Sequence, residues 1–208
     1  MKTIDALARL AELRAPIFTT NDAAAALRLT RPHASKTLAR LAMARQVLRL
    51  RRGYWGFPDK IDPLILPSLL TAPAPCYISL QSALYAHGMI SQVPLRIYAV
   101  SPVRTQAFST PLGAVSVHHV KPSFFGGFEI NDRTGIAMAT PEKALVDFLY
   151  LSPARSRLFA ALPELELPKG FRRPLAVKFT RLIDSACRRK VVSARLDELL
   201  NSKRVIQL

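Results

Sequence analysis

The stretch from Thr20 to Phe57, TNDAAAALRLTRPHASKTLARLAMARQVLRLRRGYWGF, constrains this chain most, because few folds accommodate its order of periods and breaks. The Ala-rich segment after Thr20 has the composition of a short helix, and Leu29-Thr30 interrupts it. Pro32 suits the first turn of a second helix, where its missing N–H is no loss. There Ala34, Leu38 and Leu41 recur at i, i+4, i+7 and make an inward stripe. Arg31, His33, Ser35, Lys36, Thr37 and Arg40 are left on the other faces. Two short strands follow, Val47–Leu50 and Tyr54–Phe57, joined at Arg51-Arg52-Gly53. Upstream, Ile4, Leu7, Leu10 and Ala11 recur at helical spacing, which predicts an amphipathic helix over 3–14 that Pro16 ends.

Helix, short helix, turn, helix and basic hairpin is the order of a winged helix-turn-helix. A recognition helix beside a positive hairpin is what duplex DNA binding needs. Arginine is the commonest reader of guanine, and serine or threonine serves bases or phosphates. Arg31, His33 and Lys36 near the helix start are therefore candidates for base readout. Lys36 and Arg40 serve equally as phosphate clamps, with Ser35 and Thr37 beside them. On the hairpin, Arg49, Arg51 and Arg52 are candidates for a phosphate or a narrow minor groove. Tyr54, Trp55 and Phe57 are expected to pack the hairpin on the helices. The competing reading is a small helical bundle whose basic face is merely solvated.

The charge of +16 is regional. Residues 1–60 hold 12 Lys+Arg against 4 Asp+Glu, residues 61–168 hold 7 against 7, and residues 169–208 hold 11 against 3. Two basic ends thus flank a neutral middle, and such fields favour phosphate backbones through counterion release. The second basic surface comprises Arg172, Arg173, Lys178, Arg181, Arg188, Arg189 and Lys190. Cys76 and Cys187 lie far apart with no C-x-x-C pair, which argues against a zinc site or disulfide framework. With half the residues hydrophobic and no apolar run of membrane length, a cytoplasmic globular protein is expected.

The expected fold class is α+β. Residues 1–60 form the winged helix-turn-helix domain, 61–76 a Pro-rich linker, and 77–208 a mixed α/β domain ending in a largely helical basic tail. In the second domain Ser79 is placed to cap a helix that Gly88 stops. Residues 96–101 read as a strand, 108–120 as a hairpin, and 128–130 and 135–138 as short strands. Thr140-Pro141 starts a helix, and 154–208 reads as mostly helical, broken around Pro163, Pro168 and Gly170.

Ser82-Ala83-Leu84…His87-Gly88 and Thr140-Pro141-Glu142-Lys143-Ala144-Leu145…Asp147, joined to the N-terminal module, resemble the AbiEi-type antitoxins, transcriptional regulators of phage-defence loci. The resemblance runs from about residue 3 to 200. It implies a repressor that binds inverted repeats of double-stranded DNA upstream of its own gene. It also implies a C-terminal domain that counteracts a nucleotidyltransferase-like toxin without a stable complex. No catalytic residue, metal, cofactor or membrane partner is expected.

Three alternatives stay open: a solitary regulator without a toxin, a metal-dependent DNA-processing enzyme with Glu129, Asp132 and Glu142 as ligands, and a winged-helix module that binds RNA or a protein partner. Against the enzyme, Asp132 is followed by Glu142-Lys143 without the Glu-x-Lys spacing that holds magnesium between carboxylates. Nor is there a P-loop, a G-x-S-x-G or an H-E-x-x-H. His87 reads as a core or helix-end histidine. Adjacent His118 and His119 point to opposite faces of a strand. Lys143 and Asp147 read as an i, i+4 surface pair.

Overall fold

A computed structural model describes residues 3–152, 165–201 and 205–207. The chain divides into two compact units, one of Met1–Leu66 with Ser109–Gly113 and one of Pro67–Phe108 with Ala114–Leu208. Both helices and strands are abundant, so the class is α+β.

The first unit contains α1 (Thr3–Ala11), β1 (Ile17–Thr19), α2 (Thr20–Leu27), α3 (Arg31–Met43), β2 (Leu48–Arg51) and β3 (Tyr54–Gly56). Helix α1 stops three residues short of the expected end, with Arg14 in the left-handed region at φ 51°. Strand β1 was not anticipated, since three residues between Pro16 and Thr20 are too few to show a period. It pairs antiparallel with β3, giving a sheet of order β1-β3-β2. Helix α2 begins with a capping box: the Asp22 N–H donates to Thr19 Oγ1 at 3.2 Å, and the Thr19 N–H donates to Asp22 Oδ2 at 2.7 Å. It ends where Arg28 turns left-handed and the Leu29 N–H reaches back to the Ala24 carbonyl.

Leu10, Phe18, Leu27, Leu38, Leu41, Val47 and Trp55 fill one core between the helices and the sheet. Trp55 is 4% exposed, and its indole N–H donates to Thr20 Oγ1 at 2.9 Å. The Thr20 N–H donates in turn to the Gly53 carbonyl at 2.9 Å, which ties the hairpin turn to the start of α2. Gly53, the second residue of the Arg52-Gly53 turn, has φ +82°, which glycine adopts without the strain a Cβ would bring. At Gly56 a Cβ would strike Ile61 Cδ1 and lie 2.8 Å from the Pro16 carbonyl oxygen.

Two 3-10 turns, Pro58–Lys60 and Pro63–Ile65, and the short helix α4 (Leu66–Thr71) occupy the Pro-rich segment. The second unit then runs through β4 (Tyr77–Ile78), α5 (Leu80–Ala86), β5 (Ile97–Ser101), β6 (Gln106–Thr110) and β7 (Gly113–His119), apart from Ser109–Gly113 around the β6–β7 turn. After these come β8 (Phe128–Ile130), β9 (Ala137–Ala139), α6 (Pro141–Leu151), β10 (Leu165–Leu167), α7 (Arg173–Arg181), α8 (Ala186–Asn201) and β11 (Val205–Gln207). Its main sheet has the order β6-β7-β5-β4-β9-β8. Strand β4 is parallel to β9 and antiparallel to β5, while β5 and β7 are parallel, so the sheet is mixed. The helical reading of 154–208 holds for α7 and α8 but fails at β10 and β11, which pair parallel through Leu165↔Val205. A three-residue strand has too few residues for its period to compete with neighbouring helical patterns. The expected break at Pro163 lies outside the described residues.

Helix α6 is the centre of this unit, packing on α5, α7 and α8, and Glu142 through Tyr150 are all buried. Its start matches the sequence: Thr140 Oγ1 accepts from the Lys143 N–H at 3.3 Å, and proline stands in the first turn.

Candidate nucleic-acid interface

Burial of Ala34, Leu38 and Leu41 fixes how α3 is rotated. Arg31, His33, Ser35, Lys36 and Arg40 are accordingly all exposed. Two side chains on this helix have local partners. Thr37 is half-buried and its hydroxyl donates to the His33 carbonyl at 3.0 Å. His33 Nδ1 lies 2.8 Å from Thr30 Oγ1, so the ring braces the start of α3. Lys36 and Arg40, one turn apart, are long cations with no hydrogen bond or ion pair among the described residues. Lys36 lies nearly opposite the buried stripe, the position from which a side chain leaves the helix into a groove. Arg28 is also exposed, in the turn before α3, a cation that no helical period marks because it lies in the break between two helices.

The hairpin arginines differ from one another. Arg51 faces Tyr54 across the strands, and its guanidinium lies 4.1 Å from the ring centroid. It is half-buried, which makes it partly a packing group of the hairpin. Arg49 is exposed, 5.8 Å from the Trp55 ring, with the wall of the hairpin beside it. Arg52, at the turn, is exposed. Trp55 and Phe57 are buried as expected, so they hold the hairpin rather than offer a stacking platform.

The second basic surface maps onto α7 and α8. Arg172, Arg173, Lys178, Arg181, Arg188 and Lys190 are exposed and Arg189 is half-buried. Several are engaged. The backbone N–H of Arg172 donates to Glu142 Oε1 at 2.8 Å, and its Nε reaches the same oxygen at 3.5 Å. Arg173 Nη2 donates to the Leu200 carbonyl at 2.8 Å. The Arg188 guanidinium lies 4.6 Å from the Tyr150 ring. Lys178 and Arg181 sit in the last turn of α7, where they also complement the helix dipole.

The reading of Lys143 and Asp147 as a surface pair is overturned. Both are 0% exposed, and Lys143 Nζ donates to Asp147 Oδ1 inside the core. Asp147 Oδ2 accepts from Ser79 Oγ at 2.7 Å and from the Tyr77 hydroxyl at 3.0 Å. Ser79 thus does not cap α5; its hydroxyl is spent on Asp147. The ammonium also lies 3.5 Å from the Phe124 ring centroid. Burial lowers the Lys143 pKa against the opposing pull of Asp147. Burial, with the Asp147 charge and hydrogen bond adding to it, pushes the Tyr77 phenol far above its ordinary value. The signal was present in the sequence: apart from Glu142, Lys143 and Asp147, every residue from 142 to 150 is apolar or aromatic, and a helix apolar all round is buried.

The proposed ligands Glu129, Asp132 and Glu142 are not brought together as a metal site. Glu129 and Asp132 are exposed and Glu142 is 1% exposed, and no group of three His, Cys, Asp or Glu side chains that could hold a metal occurs among the described residues. His87 is a helix-end residue with Nε2 2.7 Å from the Ala139 carbonyl oxygen. His118 is buried and His119 exposed, on opposite faces as expected. Burial, with the Arg96 charge behind it, holds the His118 pKa below the ordinary value. Among the described residues no helix is long and apolar enough to cross a membrane.

No family model matches the chain, and no curated protein matches it.

Proposed function

We propose that residues 3–57 form a winged helix-turn-helix and that the chain is a sequence-specific transcriptional repressor acting in the cytoplasm without catalysis. The observation that carries this reading is the exposed pair Lys36 and Arg40 on the face of α3 away from its buried stripe, with exposed Arg31 at the helix start, in one unit with a hairpin that exposes Arg49 and Arg52. A solvated face of a bundle needs neither the three-residue turn between α2 and α3 nor a strand–hairpin sheet on the same core. In this reading Lys36 and Arg31 enter the major groove, and Arg40, Arg49 and Arg52 grip phosphates. Arg51 and Thr37 then support the surface more than they touch DNA.

The antitoxin role is the finer part of the proposal and rests on the two motifs of the second unit. Glu142, Lys143 and Asp147 of the longer motif are buried together with partners, so that motif serves as a folding signature rather than a reactive site. Footprinting on the DNA just upstream of the gene tests the repressor: protection of two repeated half-sites supports it, and uniform coating refutes it. Co-expression with the adjacent gene tests the antitoxin. Growth arrest by the neighbour, relieved by this chain, supports that role; a harmless neighbour leaves a solitary regulator.

A further inference from the structure

The segment from Leu167 to Lys178 lines a cavity of about 740 Å³ in the second unit. Four cationic residues line it, Lys169, Arg172, Arg173 and Lys178, and all four are exposed. No acidic side chain is among its described lining residues. The rest of the wall is apolar and includes the half-buried Phe171 between Pro168 and Pro174. A volume of this size lies within the range of small-ligand sites, roughly 300–1,000 Å³.

The four cations are not equivalent. Buried Glu142 holds Arg172 through its backbone N–H and Nε, and the Leu200 carbonyl holds Arg173. The Arg173 guanidinium is thus set in place by the fold, and Arg172 is fixed through its backbone while its guanidinium stays exposed. Lys169 and Lys178 make no hydrogen bond or ion pair among the described residues, so their ammonium groups are available. Like charges gathered on one cavity repel one another, and a bound polyanion removes that repulsion.

We propose that this cavity binds a nucleoside polyphosphate. The phosphates lie among Lys169, Lys178, Arg172 and Arg173, and the base stacks on the accessible part of half-buried Phe171. Charge alone would accept any anion. The apolar half of the wall is what selects an anion that carries a flat ring. This site needs no duplex DNA and uses no residue of the first unit.

Calorimetric titration of the full chain with ADP tests the assignment, with adenosine and inorganic pyrophosphate as separate arms. ADP binds saturably, at least tenfold tighter than either half alone. The double variant K169E/K178E weakens ADP binding more than tenfold and Phe171→Ala weakens it severalfold, with far-UV circular dichroism unchanged. A K36E/R40E variant of the first unit retains ADP binding, which separates this site from the DNA surface. Absence of saturable ADP binding, pyrophosphate binding as tight as ADP, or an unaffected K169E/K178E variant would each overturn the proposal.

Discussion

Replacing Asp147 by alanine leaves the Lys143 ammonium in the core with no counter-charge. Both side chains have 0% exposure, so water cannot take the place of the carboxylate without opening the unit. Removing one partner of a buried pair costs roughly 3–5 kcal/mol. The Ser79 and Tyr77 hydroxyls lose their acceptor as well, each a penalty of about 1–3 kcal/mol if nothing replaces it. These terms overlap, so a loss of at least about 3 kcal/mol is expected. In a unit of this size that is on the order of a 10 °C fall in Tm. The pH sign follows from Lys143. Its folded pKa is lowered by burial, so the unfolded chain binds the extra proton, and stability rises with pH between the folded value and the unfolded value near ~10.4. Without Asp147 the folded pKa drops further, and the deficit of Asp147→Ala is greater at pH 6 than at pH 9. Urea unfolding followed by circular dichroism reads the whole chain, while fluorescence of Trp55, the single tryptophan, reads the first unit. The double variant Lys143→Met, Asp147→Leu removes both charges and recovers the part of the loss due to the unpaired ammonium, the Ser79 and Tyr77 hydroxyls still lacking their acceptor. A cost below about 1 kcal/mol for Asp147→Ala, or a double variant as weak as the single, would refute the reasoning.

Gly56→Ala forces a methyl group against the Pro16 carbonyl, and a loss of about 1–3 kcal/mol is expected in the Trp55 unfolding transition. His118 is held neutral by burial and Arg96, so its contribution to stability is present above the unfolded pKa near ~6.5 and is lost as pH falls below it. His118→Gln should therefore flatten the stability profile between pH 7 and 5, and an unchanged slope would exclude that assignment. Arg52→Glu should weaken DNA binding more than Arg51→Gln in a gel-shift assay, because Arg51 is already stacked on Tyr54.

The first unit was legible because its signals are local. Proline at the start of α3, the Ala34/Leu38/Leu41 stripe and the Arg51-Arg52-Gly53 turn each act within a few residues. Strand β1 was missed because its partner lies far along the chain, with Phe18 paired to Trp55. The same limit hid the parallel pairing of β10 with β11. The polar cluster of α6 was misread for a different reason. An i, i+4 Lys–Asp pair looks the same on a surface and in a core, and only the apolar residues around it tell the two apart. Ser79 illustrates the tertiary side of this: its position is that of a helix cap, but a carboxylate 68 residues away takes its hydroxyl. The basic cavity was half legible, since the charge excess of residues 169–208 was visible but the concavity that gathers Lys169 with Lys178 was not.

The central claim is that the first unit binds duplex DNA through the face of α3 and the hairpin turn. The most direct measurement is the affinity of the full chain for the duplex upstream of its gene, by fluorescence anisotropy across a salt series. The account predicts preference over an unrelated duplex of equal length and a log–log salt slope that falls by about 0.9 when Arg52 is replaced by alanine. It also predicts that K36E/R40E abolishes the preference. Equal affinity for both duplexes, with K36E/R40E indistinguishable from the native chain, would contradict it.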